Sequence, residues 1–203
     1  LDGSLEMLRA LEGAGVLAVE VGVPFSDPIA DGPDIQRACE WSLRQGTGVF
    51  DVLDLVARFR RESDLPVVLM TYANPVARVG AREFAQRARG AGADAVLLSD
   101  LPPEEMPETW AAMDEAGLDT VLLVAPTTSA ERLPRLLARC RGFVYCLART
   151  GVTGRADGYA GSLDERLAAV RAHTRLPVAV GFGISNSADA ARLGRWKPDR
   201  KGR

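Results

Sequence analysis

Histidine is almost missing from this chain. There is one, His173, among 203 residues. A histidine-based triad or a multi-histidine metal site therefore has no material, and no metal site is expected. Acid–base work must fall to Asp, Glu or Tyr. Lysine is nearly as scarce: Lys197 and Lys201 both lie in the last few residues. An aldolase of the Schiff-base kind needs a lysine on a strand, and none is available. The three cysteines, Cys39, Cys140 and Cys146, are odd in number and show no CxxC spacing. They read as reduced core thiols of a cytoplasmic protein. No apolar run approaches the roughly 20 residues that span a bilayer. No basic segment followed by an apolar one marks a signal peptide. The net charge of -2 gives no electrostatic reason to expect nucleic acid or an anionic membrane as partner. His173 falls where a surface helix should end, which suits an exposed or capping role.

With 47% hydrophobic residues, the chain can bury one substantial core. Short apolar runs alternate with amphipathic stretches. The expected strands are Leu17–Val21, Pro66–Met70, Ala95–Leu98, Thr120–Val124, Phe143–Leu147 and Val178–Val180. They are Val- and Leu-rich without polar alternation, as strands buried on both faces should be. Val49, Val52, Leu53, Val56 and Phe59 recur at helical spacing, as do Leu163, Leu167 and Val170. Thr128-x-x-Glu131 and Ser162-x-x-Glu165 predict capping boxes. Pro102-Pro103 predicts the first turn of another helix. Ala14-Gly15, Ala91-Gly92 and Ala116-Gly117 each fall where a helix should end in a left-handed residue before the next strand. Repeated helix–AlaGly–strand units imply βαβ repeats and a parallel sheet.

The stretch Glu20-Val21-Gly22-Val23-Pro24-Phe25-Ser26-Asp27-Pro28-Ile29-Ala30-Asp31-Gly32-Pro33 carries the strongest functional signal. Glu20 sits at the end of a buried strand, where a charge is expensive without a purpose. Asp27 and Asp31 follow on a proline-stiffened loop. A strand-end carboxylate with an acidic loop behind it is where an α/β barrel keeps its chemistry. Two carboxylates can divide the work of acid and base when their surroundings separate their pKa values. Asp27 reads equally well as a turn residue. The segments Gly151-Val152-Thr153-Gly154 and Gly181-Phe182-Gly183-Ile184-Ser185 offer glycine turns where backbone N–H groups could meet an anion, although the second is equally readable as a plain tight turn.

Taken together, the acidic loop, Met70-Thr71-Tyr72-Ala73-Asn74-Pro75, Asp100-Leu101-Pro102, Arg149-Thr150-Gly151-Val152-Thr153-Gly154 and Gly181–Ser185 resemble the tryptophan synthase α subunit family in order and spacing from about residue 4 to 194. The resemblance implies a (β/α)8 barrel and cofactor-free cleavage of indole-3-glycerol phosphate to indole and glyceraldehyde 3-phosphate. It implies that Glu20 is the acid–base catalyst and that Asp31 holds the indole N–H. Tyr72, Leu97 and Phe182 match positions that line the family's pocket, and Tyr145 matches a tyrosine near the catalytic glutamate. Gly154, Phe182 and Gly183 would hold the phosphate through backbone N–H groups, with Thr153 on the loop that closes over substrate. Asp27, Pro28, Asn74 and Pro75 match interface loops that dock on a β subunit in an α2β2 assembly, and pyridoxal phosphate would belong to that partner alone.

About six strands are visible, whereas the family's barrel has eight. The chain opens directly into a helix, and residues 195–203 are basic and lack an apolar run. The expectation is a single barrel domain over residues 1–194, open at the seam between its first and last strands, with a disordered or non-native tail at 195–203. Such a chain should be unstable or poorly active alone, and a non-catalytic α subunit that docks on and modulates a β partner is the alternative reading.

Overall fold

The structure, a computed structural model of the chain, describes residues 1–147 and 163–181. Its strands are β1 (Val19–Gly22), β2 (Val67–Thr71), β3 (Ala95–Leu98), β4 (Asp119–Thr120), β5 (Leu122–Val124), β6 (Val144–Leu147) and β7 (Val178–Gly181). Every pairing is parallel and follows chain order, β1-β2-β3-β4 and then β5-β6-β7. Only Val121 separates β4 from β5, and its N–H still donates to Val96 O at 3.0 Å. The two sheets therefore run on as one curved wall of six strand positions, at the places expected from the apolar runs.

Eight helices connect them among the described residues: α1 (Asp2–Gly13), α2 (Pro33–Arg44), α3 (Val49–Arg60), α4 (Ala73–Val79), α5 (Ala81–Ala91), α6 (Pro107–Glu115), α7 (Arg132–Arg139) and α8 (Leu163–His173). The apolar stripe of α3 buries Val52, Leu53, Val56 and Phe59, and α8 buries Leu167 and Val170. The α3 side chains and Val170 meet the outward residues of the strands, such as Val67, Leu69, Val96 and Val144, in one large core. Burying each side chain of this size contributes about 1.5–3 kcal/mol. Val68, Ala95, Leu97 and Val121 form a second cluster on the opposite face, joined by Met70, Leu123, Phe143 and Tyr145. A strand with a helix layer outside and a packed apolar face inside is the arrangement of a βα barrel wall.

Gly15, Gly92 and Gly117 all take positive φ after α1, α5 and α6, as expected. At Gly92 a Cβ would also collide with the Arg60 side chain. Arg60 donates to Gly92 O, Ser63 O and Asp94 Oδ2 at 3.0, 2.9 and 2.6 Å, and Asp94 Oδ2 accepts Val67 N–H at 2.9 Å. This clamp pins the N-terminal ends of β2 and β3.

Four expectations are corrected. Leu17 does not open the first strand: it is 91% exposed, and β1 begins at Val19, where pairing with Val67 starts. The end strands are not covered on both faces: β1 alternates buried and exposed, and no residue of β7 is fully buried. Thr128 forms no capping box. Its Oγ1 accepts Ala125 N–H at 3.0 Å while its own N–H donates to Ala125 O, so it closes a turn, and α7 starts later with Ser129 Oγ accepting Arg132 N–H at 3.2 Å. Pro102-Pro103 precedes α6 by a turn, and Pro107 is the proline in the helix's first turn. Ser162 and the tail at 195–203 lie outside the described residues. His173 ends α8 exposed, its Nδ1 2.9 Å from Ala169 O. Cys140 and Cys146 are buried free thiols and Cys39 is half-buried.

Candidate active site

Parallel register puts one side chain from every strand on the same face. Glu20 pairs with Val68 and Gly22 with Met70; Val68 pairs with Ala95 and Met70 with Leu97. Leu123 pairs with Tyr145, and Tyr145 with Ala179. Among the described residues this register holds two carboxylates: Glu20 in β1, facing Val68, and Asp119, exposed at the start of β4 opposite Ala95. Glu20 is the one that adjoins the Tyr145 side of the wall. It keeps water contact along the outer edge of β1, where it helps line a groove of about 410 Å3 with residues of α1 and α3. The apolar wall on its other side strips enough solvent from the carboxyl to raise its pKa above the ordinary glutamate value.

Tyr145 reaches the same space. Its ring lies across the end of β7, where a Cβ on Gly181 would overlap it. Burial, and then the negative charge of Glu20, push the Tyr145 phenol up to about 12. The tyrosine is therefore neutral, and it lies close enough to feel the glutamate's charge. Leu97 is fully buried in the inner cluster. Phe143 stacks beside Tyr145 with ring centroids 6.3 Å apart.

Asp31 enters from the loop after β1. It is 8% exposed, a buried carboxylate held by the Tyr72 hydroxyl, which donates to Asp31 Oδ2 at 2.9 Å. That hydroxyl also accepts Ala30 N–H at 3.1 Å. Burial first, and the adjoining Asp31 second, raise the Tyr72 phenol far above its ordinary value, so it stays a donor. The Phe25 ring braces Tyr72 at 5.2 Å. Tyr72 follows β2 directly, and its backbone opens α4. The next residue, Ala73, donates its N–H to Asp100 Oδ1 at 2.7 Å, from the loop after β3. Loops from three successive strands are tied together at the C-terminal end of the sheet.

Asp27 and Asn74 are exposed on two of these loops, Pro28 is half-buried and Pro75 is buried. Ser26 Oγ donates to Asp27 Oδ2 at 2.5 Å, and Asp31 N–H donates to Pro28 O at 3.0 Å. Asn74 and Pro75 line a cavity of about 610 Å3 that also takes in Pro24, Phe25, Phe50 and Val79. Thr153, Gly154, Phe182 and Gly183 lie outside the described residues. Phe25 and Phe143 were invisible as site residues in the sequence, since only the fold sets them beside the two tyrosines. Asp100 was visible as part of a motif, but without a role. Among the described residues no group of His, Cys, Asp and Glu could hold a metal ion, and no helix is long and apolar enough to cross a membrane.

Comparison with known proteins supplies the context for this geometry. The family described as "Tryptophan synthase alpha chain" matches residues 1–199. The tryptophan synthase alpha chain of Alkalilimnicola ehrlichii is 50% identical over 194 residues, covering 95% of this chain and 71% of its own length. That of Bordetella parapertussis is 48% identical over 198 residues, covering 95% and 68%. Among solved structures, the Pyrococcus furiosus tryptophan synthase α2β2 complex contains a chain that superposes with a TM-score of 0.85 at 38% identity, covering 96% of this chain and 78% of that one. A structure from Aquifex aeolicus superposes with a TM-score of 0.87 at 35% identity, covering 96% and 74%. The parallel wall with its helix layer is thus the barrel fold expected from the sequence, and the chain belongs to the tryptophan synthase alpha chain family.

Proposed function

We propose that Glu20 and Asp31 carry out the reaction of this family, the cofactor-free retro-aldol cleavage of indole-3-glycerol phosphate to indole and glyceraldehyde 3-phosphate. The Glu20 carboxyl gives its proton to indole C3, which leaves a cation on the ring. As a carboxylate it then takes the proton from the glycerol hydroxyl. The C–C bond breaks, its electron pair returns to the ring, and the aldehyde leaves. The glutamate ends as it began, protonated. A carboxyl of raised pKa suits both steps, because it holds its proton more readily than an ordinary glutamate and can still release it. Asp31 receives the indole N–H and offsets the ring's positive charge, and a negative charge already fixed in place is worth most there.

The observation that supports this division most directly is the contrast between the two acids. Glu20 has its pKa raised by partial loss of solvent, whereas Asp31 is buried against a tyrosine donor. Leu97 and Tyr145 would flank the ring, and Tyr72 would do so while holding Asp31. The roles of Thr153, Gly154, Phe182 and Gly183 at the phosphate rest on the resemblance alone. By the resemblance, Asp27, Pro28, Asn74 and Pro75 would face a β subunit; the Pyrococcus protein forms an α2β2 complex, and pyridoxal phosphate would belong to the β subunit. Free thiols at Cys39, Cys140 and Cys146 suit a cytoplasmic setting.

The test is product analysis. Indole-3-glycerol phosphate incubated with the chain, with and without a β subunit, should yield indole and glyceraldehyde 3-phosphate in equal amounts. Absence of both products in both conditions overturns the reading.

A further inference from the structure

We propose that Asp100 is a positioning residue for this reaction: its carboxylate caps α4 from a neighbouring loop and so fixes Tyr72 where its hydroxyl holds Asp31. The inference rests on the reading of Asp31 given above.

The geometry forms a short chain of contacts. Asp100 Oδ1 accepts Ala73 N–H at 2.7 Å, Tyr72 is the adjacent residue, and its hydroxyl donates to Asp31 Oδ2 at 2.9 Å. The first helical N–H groups of any helix lack partners inside it, and a side chain at the N-cap normally supplies one. In α4 the N-cap is Tyr72, whose side chain makes no capping bond because it points to Asp31. Pro75, the third helical residue, has no N–H, so the unpaired donors at the start of α4 reduce to those of Ala73 and Asn74. Asp100 supplies the cap instead. A carboxylate on a helix N-terminal N–H makes a short, charge-assisted bond and complements the helix dipole. With only seven residues, α4 has little cooperativity to hold its first turn without that bond.

Tyr72 is thereby tethered at both ends, by its backbone to the β3 loop and by its hydroxyl to the β1 loop. The groups that face its phenol are Asp31, the Ala30 N–H and the Cys39 thiol from α2. If the backbone tether is cut, α4 frays, and the hydroxyl loses its fixed aim at Asp31. Misplacement of about 1 Å in such a group is enough to slow an enzyme by up to about a hundredfold.

The experiment compares native protein with Asp100→Ala, Asp100→Asn, Tyr72→Phe and the Asp100→Ala/Tyr72→Phe double variant, all in the full chain. Asp100→Ala should lower kcat for indole release about tenfold while KM moves less than about twofold. Asp100→Asn keeps an acceptor for Ala73 N–H and should recover most of the loss. The double variant should be no slower than Tyr72→Phe alone, since the two residues act through one contact. Effects that multiply in the double variant, or an Asn variant as slow as the Ala variant, overturn the proposal. A second readout needs no turnover: titration of Tyr72 followed by NMR of 13C-labelled tyrosine. In Asp100→Ala the Tyr72 phenol should titrate lower than in native protein, and in Asp100→Asn it should not. An unchanged Tyr72 titration in Asp100→Ala overturns the clamp. If native protein releases no indole but the titration shifts as expected, the catalytic reading fails and the clamp stands.

Discussion

The two end strands of the described sheet are nearly the same four residues. β1 reads Val-Glu-Val-Gly and β7 reads Val-Ala-Val-Gly. Each pairs with one neighbour among the described residues and each places its second residue on the inner face. At that position β7 has Ala179, whose register partner is Tyr145, and β1 has Glu20, whose partner is Val68. The sheet therefore accepts a small apolar residue at an inner position of an end strand, and it does not need a carboxylate there. Glu20 pays a desolvation cost that Ala179 avoids, visible in its raised pKa. That cost, which the sheet does not require, fits the acid–base role proposed for Glu20. The valines differ too. Val19 and Val21 are 3% and 7% exposed, while Val178 and Val180 are only half-buried. The strand that bears the acid is the better anchored of the two.

That contrast can be attacked from several sides. The largest effect after removal of Glu20 itself is expected at its partner acid. Asp31→Asn keeps the shape and an acceptor for Tyr72 but removes the charge, and should lower kcat for indole release about a hundredfold. A variant within a few-fold of native protein would show that the ring cation needs no counter-charge from Asp31.

The anchoring difference is read by paired truncations. Val21→Ala empties space in the main core and should destabilise by about 2 kcal/mol, whereas Val180→Ala should cost about 1 kcal/mol or less. Denaturant midpoints at equal m-value settle it, and equal losses would erase the asymmetry between the two ends.

Glu20 also predicts a stability change of unusual sign. Its folded-state pKa is raised, so its contribution to stability is full below the ordinary carboxylate value of 4.5 and is lost as pH rises through the raised value. Glu20→Gln should therefore melt above native protein at pH 7, with the gap closing below pH about 4.5. A lower melting temperature for the variant at pH 7 would mean that the charge is stabilised by the fold.

The smallest effect belongs to a carboxylate of the opposite kind. Arg132 donates two hydrogen bonds to Glu104 at 2.8 and 2.9 Å and depresses its pKa to about 2. Its contribution is present above pH 4.5 and lost as pH falls toward 2. Glu104 is about half-exposed, so solvent screening holds the gain to about 1 kcal/mol or less. Glu104→Gln should lose that much at pH 7 and nothing at pH 2, as read by chemical denaturation. A loss that persists at pH 2 would point to packing.

Much of the wall was legible in the sequence, because strands closed in by helices are apolar throughout. Val67–Thr71 and Ala95–Leu98 announce themselves in this way, and the AlaGly turns mark where helices end. Leu17 misled because apolar character alone does not say where pairing starts. Thr128 misled because a capping-box pattern is also a turn pattern, and the nearer Ala125 N–H took its hydroxyl. Glu20 was legible as a charge on the first strand but not in its place there: it is the second of the four residues of β1 and not the strand's end, because pairing runs on to Gly22. The Asp31–Tyr72 and Asp100–Ala73 contacts were not legible. They join residues 41 and 27 positions apart, and nothing local signals a bond that only the parallel order of β1, β2 and β3 brings within reach.

Single-turnover indole release by Glu20→Gln tests most directly whether Glu20 is the proton carrier. The amide fills nearly the same space and cannot exchange a proton with indole C3. The expected result is a rate at least about a hundredfold below that of native protein, with substrate still bound. A variant that releases indole within a few-fold of the native rate would contradict the account.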